Sequence, residues 1–276
     1  MKFGISTFVT DEGIRPDVLG AALEERGFDS LFLAEHSHIP VSRESPYPGG
    51  GDLPEKYKRT LDPFVALTAA ATTTSELLLG TGIALLIQRD VIHTAKEVAS
   101  LDLISDGRAL FGVGVGWNRE EMANHGTDPK TRGALIDEQL AALKEIWTKD
   151  EAEFHGKYVG FDPIYAWPKP VHKPHPPIYI GGESEAAIQR LIKYGDGWLL
   201  RGNLHFDEAK RVRDRLDADG RKDVQFAVFG GDTKAKVIDG FRDAGVERYT
   251  FMLETMPEAE TLKALDELAK VAAAHR

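Results

Sequence analysis

Eight short apolar runs alternate with amphipathic stretches of helical spacing, and that alternation limits the folds open to this chain. The runs are Lys2–Thr7, Ser30–Glu35, Leu77–Leu86, Ala109–Val115, Ile178–Gly181, Gly197–Leu200, Val224–Phe229 and Arg248–Leu253. Between them lie patterns such as Ile136, Leu140, Leu143 and Trp147, or Leu262, Leu265 and Leu268. Such an order is expected of a parallel sheet with helical crossovers. Eight units in 276 residues, near the ~250 usual for this architecture, favour a (β/α)8 TIM barrel over an open doubly wound sheet. No Ser- or Gly-rich linker divides the chain, so residues 1–276 are read as one domain. Two connections are long, 37–61 after the second strand and 151–176 before the fifth. Long loops in compact folds tend to be lids or binding loops. The first, with Pro46, Pro48 and Gly49-Gly50-Gly51, is expected to be mobile; the second, rich in aromatics and proline, is expected to pack as an ordered excursion.

The net charge of −10 argues against nucleic acid and anionic lipid as general partners. The absence of cysteine removes disulfides, thiolate nucleophiles, iron–sulfur ligation and thiolate zinc sites. The longest apolar run, 77–87, is too short to span a bilayer, and the N-terminus lacks the order of a signal peptide. The expectation is a soluble cytoplasmic protein without membrane or nucleic-acid partners.

In a barrel of this kind chemistry gathers at the C-terminal strand ends. The second strand ends in Ala34-Glu35-His36-Ser37-His38, with His36 the candidate catalytic group. Its imidazole can exchange a proton near neutral pH, while Glu35 either holds its tautomer or turns outward into a salt bridge. His36 and His38 also have the His-x-His spacing of metal-dependent hydrolase barrels. The ends of the fifth, sixth and eighth strands do not supply the further histidines and aspartate such a site requires, so no metal is assigned. His172 and His175, in a Pro-rich connector, are read as solvated.

Glycine marks the other rims. Gly80 and Gly82 interrupt the third strand, suggesting a bulge that brings backbone to a ligand. Gly112, Gly114 and Gly116 share one face of the fourth, and that face either opens to a ligand or admits a close neighbour. They do not form G-x-G-x-x-G, which excludes a Rossmann reading. Asn118 has an N-cap position with Glu121 three residues on, as in a capping box. Gly181-Gly182-Glu183-Ser184 turns the fifth strand into a helix and forms a candidate phosphate cradle, from which Glu183 must point away. Arg201 ends the sixth strand, where it can hold an anion or pair with an acid.

Taken in order, Ala34-Glu35-His36, Leu79-Gly-Thr-Gly-Ile83, Phe111-Gly-Val-Gly-Val-Gly-Trp-Asn118, Pro177-Ile-Tyr-Ile-Gly-Gly182 and Gly195-Asp-Gly-Trp198 resemble the bacterial luciferase-like family nearly end to end, and within it the coenzyme F420-dependent oxidoreductases. The resemblance implies a non-prolyl cis peptide bulge at Gly82-Ile83 behind the cofactor ring. It also implies a phosphate at Gly181 and Gly182, and His36 near the reactive carbon. The cofactor-binding set expected in all is Thr81, Gly82, Ile83, Gly114, Gly116, Trp117, Asn118, Gly181, Gly182, Glu183, Ser184 and Arg201, with His36 and Glu35 catalytic. The expected activity is hydride transfer between F420 and a small unsaturated or carbonyl substrate, in a homodimer. Reduced FMN in a monooxygenase, or a non-catalytic flavin or deazaflavin binder, are the alternatives. F420 carries a phosphate and a glutamate tail, so Lys56, Lys58, Arg59 and Arg201 are candidate counter-charges. Members that oxidise glucose 6-phosphate have a glutamate directly after the fourth-strand glycine and a tryptophan just after the histidine. Here Trp117 follows Gly116 and Ser37 follows His36, so that substrate is not expected.

Overall fold

The structure is a computed structural model that describes residues 1–276. Its strands are β1 (Lys2–Thr7), β2 (Ser30–Leu33), β3 (Leu78–Thr81), β4 (Ala84–Leu85), β5 (Ala109–Gly114), β6 (Glu151–His155), β7 (Gly160–Tyr165), β8 (Ile178–Gly181), β9 (Gly197–Arg201), β10 (Gln225–Gly231) and β11 (Arg248–Leu253). Nine of them form one parallel sheet in the order β3-β2-β1-β11-β10-β9-β8-β5-β4, and β3 closes it by pairing with β5 at Leu79–Ala109 and Gly80–Leu110. Because β4 is β3 resumed after a break at Gly82 and Ile83, the closed barrel has eight staves. The (β/α)8 expectation holds.

The helices are α1 (Pro16–Glu25), α2 (Pro63–Ala71), α3 (Val91–Ile104), α4 (Arg119–Asn124), α5 (Arg132–Thr148), α6 (Glu185–Tyr194), α7 (Phe206–Ala218), α8 (Ala235–Asp243) and α9 (Glu258–Ala274). Side chains just outside several of them fix where they begin. Asp62 accepts from the Phe64 and Val65 amides ahead of Pro63, Asp90 from His93, and Ser184 from Ala187. Each oxygen satisfies an amide that the first turn leaves free. Ile136, Leu140, Leu143 and Trp147 bury one face of α5, as their spacing requires.

Period-two alternation divides the strand residues between two cores. Phe32, Leu110, Tyr179, Leu199 and Ala227 fill the barrel, while the larger cluster lies between strands and helices. Lower in the barrel, buried Arg248 donates to Asp29 at 2.6 Å and to the Tyr179 hydroxyl at 3.2 Å. Burial works against this charge, but its partners outweigh it and raise the Arg248 pKa.

The segment 37–61, expected to be mobile, is tied down at several points. Thr60 bridges to Thr10, Arg59 donates to Asp11 at 2.7 and 2.8 Å, and the Ser45 amide donates to Glu120 at 2.8 Å. The second long connection is the ordered excursion expected, an antiparallel β6–β7 hairpin followed by cis Pro168 and Pro174. His175 corrects the sequence reading: it is 7% exposed and packs on the Trp147 ring at 6.0 Å. The connector carries it back under α5, and burial pushes its pKa down. No helix is long and apolar enough to cross a membrane.

Candidate active site

The glycines of β5 and Gly116 just beyond it make room for the neighbouring strand. A Cβ on Gly112 would lie 2.0 Å from the Thr81 carbonyl oxygen, one on Gly114 2.1 Å from Ile83 Cδ1, and one on Gly116 2.9 Å from Leu85 Cδ2. A Cβ on Gly181 would meet Ile83 Cγ2 at 2.8 Å. Of the two options left by the sequence, the glycine face therefore admits a close neighbour, the bulge between β3 and β4. Gly82 lies against Phe229 and Phe32, and the Gly82–Ile83 peptide is cis. Thr81 is buried and donates to the Gly112 carbonyl at 2.7 Å, which puts its hydroxyl behind the bulge. Ile83 is left half-buried, an apolar platform seated between two strands.

His36 stands at the end of β2, buried, with Nδ1 2.9 Å from Glu121 Oε2. Glu121 is fully buried and its Oε1 has no partner. An ionised carboxylate only accepts, so the hydrogen belongs on Nδ1, and Nε2 has no protein partner. Glu35 takes the outward of the two roles open to it. It accepts from Arg89 Nε at 2.7 Å and from the Leu85 amide at 2.6 Å, so it fixes the far side of the bulge and does not touch His36. Burial disfavours the Arg89 charge, but Glu35 and then Asp62 outweigh it and raise its pKa.

Sequence reasoning missed Glu121 as the partner of His36. The capping box is half-formed: Asn118 Oδ1 accepts from the Glu121 amide at 3.1 Å, while the Glu121 carboxylate goes to His36 instead of back to the cap. Asn118 itself is buried and serves α4, with its Nδ2 unpartnered. Also missed were Tyr47 and Tyr57, which join the expected Trp117 in an aromatic wall. The Tyr57 ring lies 5.1 Å from His36, Trp117 6.0 Å, and Tyr47 packs against both of those aromatics. Burial, and next its hydrogen bond with Tyr47, push the Tyr57 phenol up, so it stays protonated. The only signal was aromatic residues inside a loop otherwise rich in turn formers.

At the fifth strand Gly182 has φ +105°, and a Cβ there would meet only Ala187 at 3.4 Å. Its carbonyl accepts from Trp198 Nε1 at 2.9 Å, which fixes the turn. Glu183 points to Arg201, whose Nε lies 3.0 Å from both carboxylate oxygens. Ser184 caps α6 and is exposed. Arg201 is thereby neutralised, and so are the loop cations: Lys56 on Glu254, Lys58 on Glu55, Arg59 on Asp11 and Glu12. Outside the mouth, His38 bonds Ser37 and Asn124.

A half-exposed apolar platform, an open glycine turn and a buried imidazole with one free nitrogen together fit a flat ring bearing an anionic chain. The family described as luciferase-like monooxygenase matches residues 18–274. An uncharacterized protein of Mycobacterium tuberculosis is 40% identical over 227 residues, 80% of each chain. Among solved structures, the monooxygenase RslO1 from Streptomyces bottropensis aligns with a TM-score of 0.78 at 20% identity, covering 100% of this chain and 99% of that one. An F420-dependent secondary alcohol dehydrogenase, solved with an F420-acetone adduct, aligns at 0.77 and 18% identity over 100% of both chains. These structural likenesses bear on the fold.

Proposed function

Since the chain belongs to the luciferase-like monooxygenase family and is thereby an oxidoreductase of the flavin and deazaflavin kind, we propose that it uses reduced F420 to transfer hydride to a small unsaturated or carbonyl compound. The observation that carries this reading is the His36–Glu121 pair at the mouth. Hydride added to one atom of a C=O or polarised C=C bond leaves negative charge on another atom, which must take up a proton. His36 takes up a proton from solvent on Nε2 and donates it from there, returning to the neutral Nδ1–H form that Glu121 holds in place.

When bound, the deazaflavin supplies the hydride, and the protein supplies position and electrostatics. Ile83 on its glycine seat would back the ring, and the Gly181-Gly182 turn would hold the phosphate. Glu35, through the Leu85 amide, holds the bulge from behind. Tyr47, Tyr57 and Trp117 wall His36 at the mouth and limit its contact with water. Titration of the purified apoprotein with F420 and with FMN tests the assignment. F420 should bind the more tightly, and a preference for FMN would replace this reading with that of an FMN monooxygenase.

A further inference from the structure

One cation of the mouth has no acid to answer it. Lys56, Lys58, Arg59 and Arg201 are each paired with a carboxylate, in a chain of net charge −10. Arg43, on the same loop as the first three, makes neither an ion pair nor a hydrogen bond; its guanidinium stands over the Trp117 ring, 6.0 Å from the centroid. The carboxylate that anchors this stretch of loop is already taken: Glu120 accepts from the Ser45 amide at 2.8 Å and from the Ser45 hydroxyl. Ser45 Oγ also accepts from the Arg119 amide at 3.1 Å, so the segment is tied to the start of α4 two residues on from Arg43. The indole beneath the guanidinium is the one that His36 packs against, also at 6.0 Å. Imidazole and guanidinium thus share one half-buried ring and lie no more than twice that distance apart.

We infer that the substrate carries a carboxylate, which Arg43 holds against Trp117 while the carbonyl or polarised double bond meets His36 Nε2. One guanidinium balances the single charge of a carboxylate and matches its two oxygens, whereas a phosphate carries up to about two charges at neutral pH. The indole keeps water from one side of the pair, which strengthens the attraction. The inference rests on the reductase reading above and adds the substrate class, an oxo acid or an enone acid.

A matched pair of ligands, 4-oxocyclohexanecarboxylate and its carboxamide, tests this, since the two differ in charge and hardly in shape. Each is titrated by calorimetry into the enzyme loaded with oxidised F420, where no reduction runs. The wild type should bind the carboxylate about fivefold more tightly than the amide at low salt, the gain expected of one half-exposed ion pair. That advantage should shrink at high salt, vanish in Arg43→Ala, survive in part in Arg43→Lys and reverse in Arg43→Glu. Three results overturn the Arg43 assignment alone: a wild type that binds the carboxylate no better than the amide or not at all, an advantage that persists in Arg43→Ala, or a loss of F420 affinity in that variant, which would place the guanidinium on the cofactor. If FMN binds in place of F420, the F420 reading falls, and the same pair of ligands in the FMN complex decides the Arg43 assignment by itself.

Discussion

Replacing Glu121 separates what it does for the fold from what it does for His36. Its carboxylate is fully buried, with one oxygen 2.9 Å from Nδ1 and the other without a partner. Two terms oppose each other in Glu121→Gln. A charged hydrogen bond worth about 1.5–3 kcal/mol becomes a neutral one of about 0.5–1.5. Against that, a buried charge that costs several kcal/mol to desolvate disappears. Folding stability should therefore stay within about 1 kcal/mol of the wild type or rise. Glu121→Ala orphans the Nδ1–H, a loss of about 1–3 kcal/mol, and empties the side-chain volume besides, so it should lower stability by about 3 kcal/mol. For function the two variants converge. Glutamine can present either its oxygen or its nitrogen, so His36 loses its fixed tautomer, and turnover should fall about 100-fold. Urea unfolding measures the first quantity; nitrogen-15 NMR of the His36 ring reads the tautomer without any substrate. If Glu121→Gln keeps a pure Nδ1–H tautomer and full turnover, Glu121 does not position His36. If it loses as much stability as Glu121→Ala, the pair is a structural element.

Three further outcomes follow from the geometry. Gly114→Ala puts a methyl 2.1 Å from Ile83 Cδ1, so unfolding should show a loss of about 1–3 kcal/mol and cofactor titration a weaker complex; unchanged values would mean that Ile83 is not seated there. His175 has its pKa pushed below the ordinary 6.5 by burial, so the unfolded chain takes up the proton first. Its contribution is intact above 6.5 and is lost as pH falls toward the folded-state value. His175→Gln should then flatten the stability profile on the acid side, and parallel profiles would refute it. Glu183→Gln frees Arg201 at the rim and should tighten an anionic cofactor several-fold in titration; no change would show that Arg201 does not reach the ligand.

The barrel was legible because each stave is a self-contained apolar run and the turns between are marked by glycine and capping residues. Even the break in the third strand showed, since Gly80 and Gly82 interrupt Leu77–Leu86 where the structure leaves the ladder. The site was legible where local pattern decides position, as with His36 at a strand end and Ser184 at a helix start. It failed where a side chain had a choice. Glu121 three residues after Asn118 looks the same whether its carboxylate returns to the cap or reaches 85 residues back to His36. Glu35 beside His36 in sequence points the other way, because both lie past the end of β2 at Leu33, where Arg89 and the Leu85 amide draw Glu35 and Glu121 draws His36. His175 looked solvated because nothing local shows that α5 covers it. Which cations are paired is likewise tertiary: Lys56 meets Glu254 across 198 residues of chain.

The seat beneath Ile83 is made by omission, from side chains that Gly112, Gly114 and Gly181 do not have. A wall built that way has no dial. Any change at these positions adds atoms: at Gly112 they meet the Thr81 backbone, and at Gly114 and Gly181 they displace the Ile83 side chain. The wall facing it is made of Tyr47 and Tyr57 on a surface segment and Trp117 at a loop end, and these can shrink or grow without moving a strand. On the proposed reading, cofactor geometry and substrate range rest on separate mechanical supports. Selection for new substrates can proceed on one wall while the other stays fixed.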